Sequence, residues 1–308
     1  MDVPGMRPRR VGEILDAAIK LYLSNARVLM GSAAAIVVPL QIISGVVLLS
    51  AYGGGNSAGT SLSSSTTDAR LGASGISLLV GLIGNAFVLA ACVKALSDAY
   101  LEQEPSVRGS LRFGLRRLLP LIALEIVYYI GQSIGFVLLV IPGIWLYAAW
   151  SVRVPALVIE RKGPFRSLGR SRALVKGRWW PTAGVLLITA IMVGVLNVVI
   201  EELLRLASGT NGNPALLSDV VVLILTAIVS GVLLQPFSAS VVTVLYYDLR
   251  IRHEGYDLEL LADQLGLPAG DLPAAPSSGF DGPVGPEDVG KPGGPPYWPP
   301  PPGWQRSY

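Results

Sequence analysis

Residues 118–160 read LLPLIALEIVYYIGQSIGFVLLVIPGIWLYAAWSVRVPALVIE, two apolar runs separated by Pro142-Gly143. Each run is close to the roughly 20 residues that an α-helix needs to cross about 30 Å of hydrocarbon. The charged residues in this stretch are Glu125, Arg153 and Glu160. Because a helix satisfies its own backbone polar groups in lipid, the stretch predicts two membrane-spanning helices joined by a tight outer turn at Pro142-Gly143.

Four further apolar runs flank this stretch and give six predicted spans in all. The predicted spans are residues 28–51, 74–100, 118–141, 143–160, 182–206 and 219–247. A 308-residue chain that is 51% hydrophobic and 15% charged has more apolar surface than one soluble core could bury. We therefore predict an all-α membrane protein whose six transmembrane helices form three hairpins, within a domain of residues 28–257.

Positive charge alternates between the connecting segments. All but Arg70 and Arg205 of the 24 Lys and Arg residues lie in or near alternate segments. Cationic segments beside short spans are retained on the cytoplasmic side. The pattern predicts a multi-pass protein of the cell membrane with both termini in the cytoplasm. Its basic inner face should favour anionic lipid headgroups by about 1 kcal/mol per residue near the surface, whereas a formal charge of +3 gives little reason to expect nucleic-acid binding.

A basic segment with helical apolar spacing precedes the first, third and fifth spans, at residues 11–22, 107–118 and 165–176. A helix with one apolar and one cationic face is most stable lying in the membrane interface. The repeating unit is then a cytoplasmic amphipathic helix followed by a membrane hairpin. These helices either complete the fold as ordinary loop helices or form a surface that binds lipid or a partner. The candidate residues for that surface are Arg112, Arg116, Arg117, Arg166, Arg170, Arg172, Lys176 and Arg178.

Three ionisable residues share one predicted depth in the cytoplasmic half of the membrane: Glu125, Arg153 and Lys94. Ionisable groups at membrane depth are costly and are functional candidates. Opposite charges at equal depth predict a buried pair of Glu125 with Arg153, and Lys94 is the second candidate partner. Three interpretations stay open: a structural pair, separate snorkelling of the two cations, or a site for a substrate or proton.

Catalytic and metal-binding motifs are missing from the sequence. His253 is the only histidine and Cys92 the only cysteine, so no zinc cluster with several imidazoles or thiolates can form. We predict no cofactor, no metal site, no catalytic residues and no enzymatic activity. Just after the sixth span, Asp248, Arg252 and their neighbours form a mixed-charge cluster. It is interpreted as a solvated interfacial anchor, with headgroup or ion binding as the alternative.

The ends and one loop have polar or proline-rich composition. Residues 1–27 form the predicted N-terminal amphipathic segment, and residues 52–73 a predicted flexible outer loop. Residues 258–308 are rich in Pro and Gly and are predicted to be a disordered cytoplasmic tail. Its last stretch favours polyproline II, so the tail either docks a protein partner through Tyr297, Trp298 and Trp304 or is simply solvated.

Four short motifs carry a resemblance to a known family: VGEILDAA at residues 11–18, PALVIE at 155–160, SLGRS at 167–171 and LYYDLR at 245–250. Together they resemble a bacterial family identified by its similarity to the membrane region of glycerophosphoryl diester phosphodiesterases, over roughly residues 9–257. In those enzymes the region is joined to a separate catalytic barrel that uses paired histidines. The resemblance therefore implies the membrane module without the hydrolase. An Arg-rich, Lys-poor composition, 19 Arg against 5 Lys, predicts an actinobacterial source.

The favoured functional hypothesis is a non-enzymatic accessory or scaffold protein whose basic inner face binds anionic lipid or a partner. The alternative is a small transporter or lipid-handling permease that uses Glu125 at membrane depth, since repeats and broken helices are common in such proteins. A lipid-modifying enzyme ranks third, because no metal-ligand cluster is visible in the sequence.

Overall fold

A computed structural model describes residues 10–53, 64–100, 104–138, 140–208 and 216–254. Within these ranges every regular element is a helix. The helices in chain order are α1 (Val11–Ser24), α2 (Ala26–Gly53), α3 (Ser64–Tyr100), α4 (Val107–Arg116), α5 (Leu118–Leu138), α6 (Val140–Ala149), α7 (Arg153–Ile159), α8 (Pro164–Val175), α9 (Trp179–Ala207) and α10 (Leu216–Glu254).

Six stretches of the described chain are long and apolar enough to cross a membrane. Five of them lie in single helices, and the fourth consists of α6 and α7 together. The stretches are Ala26–Ser50, Leu71–Tyr100, Leu118–Leu138, Val140–Ile159, Trp179–Ala207 and Val220–Glu254. The all-helical fold class is thereby confirmed, and six candidate spans occur where the sequence predicts them.

The predicted turn at Pro142-Gly143 is wrong, because both residues lie inside α6. Only residue 139 separates α5 from α6. A proline is tolerated in the first turn of a helix, where its missing N–H would have had no partner. Gly143 lies against α5 instead: a Cβ on Gly135 would be 3.2 Å from its Cα, and Gln132 Nε2 donates to its carbonyl at 2.8 Å.

The predicted loop at residues 52–73 is also wrong over its second half, because α3 begins at Ser64. Serine and threonine cost only a few tenths of a kcal/mol each in a helix. Adding a residue to an existing helix gains a backbone hydrogen bond without a new nucleation cost, so the apolar span extends into this polar stretch. Residues 54–63 and the tail at 258–308, with Tyr297, Trp298 and Trp304, lie outside the described residues.

The buried core has two parts that meet on α3. One face of α3, with Cys92 and Leu96, packs with α2 around Leu29. Another face, with Ala86 and Ala90, packs with residues of α5, α7 and α8. Small side chains at such contacts let helices approach closely where there is no hydrophobic driving force between them. The second part of the core holds α5 and α7 together, and these two helices carry the buried charges.

Candidate functional site

A buried ion pair joins α5 and α7. Arg153 Nη2 donates to Glu125 Oε2 at 2.9 Å, and the two side chains are only 10% and 2% exposed. The Arg153 guanidinium carbon also lies 3.4 Å from the centre of the Tyr128 ring, which is a cation–π contact. The contact predicted from equal membrane depth is present in the structure. Among the described residues, the other carboxylate oxygen of Glu125 has no hydrogen-bond partner.

The pair lies beside a break in the fourth apolar stretch. The helix is interrupted between Ala149 and Arg153, so some backbone groups there lack a partner within the helix. Ser171 of α8 forms hydrogen bonds with two backbone groups at the break: its Oγ donates to the Ala149 carbonyl at 2.9 Å and accepts from the Val152 N–H at 3.2 Å. Arg153 Nη1 donates to the Trp150 carbonyl at 3.3 Å. Arg153 thus pairs with Glu125 and also donates a hydrogen bond to a backbone carbonyl at the break.

Lys94 does not join this cluster. Its ammonium group pairs with Asp98, one turn further along α3, and the Lys94 side chain is 32% exposed. A carboxylate four residues away on the same helix is already within reach, so no interhelical contact is required. The predicted three-residue cluster therefore reduces to the Glu125–Arg153 pair.

A second cluster is centred on Glu160, at the end of α7. Arg170 Nε donates to both carboxylate oxygens, at 2.8 and 3.0 Å, and Tyr246 Oη donates to Oε1 at 2.8 Å. Lys162 also pairs with this carboxylate. Burial by itself would raise the pKa of Glu160, but the hydrogen bonds from Lys162, Arg170 and Tyr246 together lower it below its ordinary value. The cluster joins α7, α8 and α10.

This arrangement corrects the prediction for Arg170 as a headgroup contact, because the residue is committed to Glu160 and its side chain is 19% exposed. Arg117 and Arg178 are half-buried. Arg172 is exposed, and its guanidinium carbon lies 5.1 Å from the Trp145 ring centre. The candidates that are exposed in the structure are Arg112, Arg116, Arg166, Arg172 and Lys176.

The mixed-charge cluster near the end of α10 is not a solvated anchor at Asp248. That residue is 6% exposed, and Arg252 Nε donates to its Oδ2 at 2.8 Å. Sequence reasoning missed its role because α10 continues to Glu254, which places Asp248 and Arg252 on one buried helical face. A hydrophobic neighbourhood, LYY before Asp248 and Leu249 after it, was the available signal.

The six apolar stretches indicate a multi-pass membrane protein. Residues 119–249 match the model of a family described as a domain of unknown function (DUF7847). The matched region begins in α5 and ends in α10, so it contains the Glu125–Arg153 pair and the Glu160 cluster. No curated protein and no solved structure matches the chain.

Proposed function

We propose that this chain is a non-enzymatic accessory or scaffold protein of the cell membrane, whose basic cytoplasmic face binds anionic lipid or a protein partner. The observation that carries the proposal is the two-sidedness of α4 and α8. In α4, Ser110 and Gly114 are buried, and in α8 the buried residues include Leu168 and Leu174. The opposite faces of both helices expose arginine.

Contacts with the bundle fix this orientation. A Cβ on Gly114 would lie 2.5 Å from the Phe87 ring of α3, so α4 lies directly against α3. Ser171 and Arg170 tie α8 to the break in the fourth stretch and to Glu160. Since the buried sides of α4 and α8 pack against the bundle, the exposed cations on their opposite sides form a fixed surface. Such a surface attracts anionic headgroups or an acidic partner.

The charge alternation supports a topology with both termini in the cytoplasm. The order of the elements is one short helix followed by two apolar stretches, three times over. This order supports three hairpins that each follow an amphipathic helix. Under this proposal α1, α4 and α8 lie at the inner membrane interface. The resemblance to the membrane region of glycerophosphoryl diester phosphodiesterases supports the same assignment of a membrane module without a hydrolase.

Lipid retention tests the proposal. Arg166 and Arg172 are changed to glutamine together, and native mass spectrometry compares the bound phosphatidylglycerol after gentle extraction. We expect the variant to retain less of it. Arg205→Gln is the control, because that cation is exposed in the last turn of α9, at the proposed outer side, and pairs with Glu201 at 2.5 Å. Equal retention by the wild type and the double variant would contradict lipid binding by the basic face.

Partner binding is tested separately. Co-purification is compared between the full chain and a variant that lacks residues 268–308. A protein recovered with the full chain and lost from the shortened one supports docking through the tail, and an unchanged set of proteins counts against it.

A transporter that uses Glu125 is the second candidate. Two observations favour it: the helix break at Trp150–Val152, and the Glu125 oxygen that has no hydrogen-bond partner among the described residues. Broken helices near ionisable groups form the substrate sites of many transporters. Solute uptake by proteoliposomes that contain the wild type or Glu125→Gln tests it. Uptake that is identical for the two proteins would exclude a proton-coupled mechanism at Glu125.

A further inference from the structure

A cleft of about 360 Å3 lies between the N-terminal ends of α1 and α9 and the C-terminal part of α10. One part of its lining is cationic and the other is apolar. The charged residues of the lining are Arg10, Arg178, Arg252 and Asp248. Arg10 is not among the cations that the sequence nominated for lipid binding, whereas Arg252 belongs to the mixed-charge cluster for which headgroup binding is the alternative interpretation.

The charged part of the cleft has a positive balance. Three guanidinium groups against the one carboxylate leave two positive charges. Arg252 already pairs with Asp248 at 2.8 Å. Arg10 and Arg178 come from separate helix ends, so the fold brings them together. The planar fork of arginine matches the oxygens of a phosphate group and binds them with charge-assisted hydrogen bonds.

The N-terminus of α9 adds two further features that favour an anion. Arg178 is the residue before the first turn, and its side chain does not cap the helix. Thr182, the fourth residue of α9, is 1% exposed, and within the described part of the chain its Oγ1 has no hydrogen-bond partner. A helix N-terminus carries partial positive charge, which stabilises a bound anion. A buried hydroxyl in this position is able to donate to the same anion.

The apolar lining distinguishes a lipid from a free phosphate. Ile14, Leu245 and Leu249 lie beside the arginines, and α9 and α10 are both apolar enough to span the membrane. An inorganic phosphate would use only the cationic part of the cleft. A phospholipid would place its phosphate there and its glycerol and first methylenes against the apolar part.

We infer that this cleft is a specific site for the phosphate group of an anionic phospholipid, held by Arg10, Arg178 and Thr182 between α1, α9 and α10. The inference rests on the proposed function and narrows it from a diffuse basic face to one discrete site. The bound lipid would also join α1 to the membrane-spanning helices, because α1 packs on α9 beside the cleft.

The test measures the affinity of the full chain, purified in a neutral detergent, for added dioleoylphosphatidylglycerol by native mass spectrometry. Charge-assisted hydrogen bonds are about twice as strong as neutral ones, so the double variant Arg10→Gln/Arg178→Gln should bind about tenfold more weakly or worse. Thr182→Val, which keeps the side-chain shape, should lose about tenfold or more, because it removes one hydrogen bond from a hydroxyl to the charged phosphate. If the arginine variant fails to fold, as judged by its unfolding midpoint, Thr182→Val still decides the matter.

The double variant Arg166→Gln/Arg172→Gln separates this inference from the proposed function. Loss of lipid from that variant, with wild-type affinity in both cleft variants, overturns the discrete site and leaves the basic face in place. Unchanged affinity in all variants overturns both. Dioleoylphosphatidylcholine and inorganic phosphate are the competing probes, and displacement of the lipid by equimolar inorganic phosphate would show that the cleft takes a free anion and overturn the lipid assignment.

Discussion

Replacing Arg153 with methionine should strongly destabilise the bundle, because it leaves Glu125 buried without its partner. The carboxylate is 2% exposed, and its only hydrogen bond within the described ranges of the chain is the 2.9 Å contact with Arg153. The substitution also removes the guanidinium from the Tyr128 ring and from the Trp150 carbonyl. Removing one partner of a buried pair costs about 3–5 kcal/mol, and we expect a loss of unfolding free energy in that range.

The double variant Glu125→Gln/Arg153→Met should recover most of this loss, because no buried charge is left unpaired. Lys94→Met is the matched control: its pair with Asp98 is partly exposed, and such pairs are worth about 1 kcal/mol or less. The assay is denaturant unfolding of the purified protein in detergent micelles, followed by tryptophan fluorescence. A cost for Arg153→Met no greater than that of Lys94→Met would refute the reasoning, since it would mean that water reaches the pair.

Three further predictions concern packing, the helix break and pH. Gly135→Val should lower the free energy of unfolding by about 1–3 kcal/mol, because even a Cβ there lies 3.2 Å from a backbone carbon of α6. Gly194→Val is the control, since a Cβ at Gly194 has no neighbouring atom within 4 Å. Denaturant unfolding of both variants measures the difference. Ser171→Ala should lower the free energy of unfolding by about 1–3 kcal/mol, because the two backbone groups that Ser171 satisfies at the break are left unpaired. The loss should be greater than for Ser167→Ala, which removes only a hydrogen bond to a carbonyl four residues earlier. Equal losses for the two variants would contradict this reasoning. The pKa of Glu160 is lowered from 4.5 in the folded protein, so its contribution to stability is complete above that value and is lost as the pH falls below it. The unfolding midpoint of the wild type should therefore decline more steeply than that of Glu160→Gln as the pH is lowered below 4.5, and parallel curves would contradict the assignment.

The Glu125–Arg153 pair shows how far depth along a span can be read from sequence. Counting residues from the inner end of each apolar run places both groups at one level, and the structure has them in contact. The same count placed Lys94 at this depth as the second candidate partner. Depth alone could not exclude it, because depth carries no information on which helix face points where, and in the structure Lys94 pairs with Asp98 on its own helix.

The two errors in the fold have a common cause. Pro142 and the polar stretch after Ser64 are both poor helix formers in isolation, and both lie in helices. Propensity is a local quantity of at most a few kcal/mol per residue. The first turn of a helix tolerates proline, and an existing long helix extends at little cost, so local propensity gave the wrong boundaries at these two points.

Sequence by itself determined the number and approximate position of the six apolar stretches, because length and apolar composition are properties of each segment alone. Only the tertiary structure decided which charged side chains are paired within the protein and which stay exposed. Arg170 is paired with Glu160, Ser171 of α8 satisfies backbone groups at the break between α6 and α7, and Arg10, Arg178 and Arg252 line one cleft. These contacts depend on how the helices pack and rotate against one another. That packing is determined by interactions between different segments, so it cannot be read from any one segment alone.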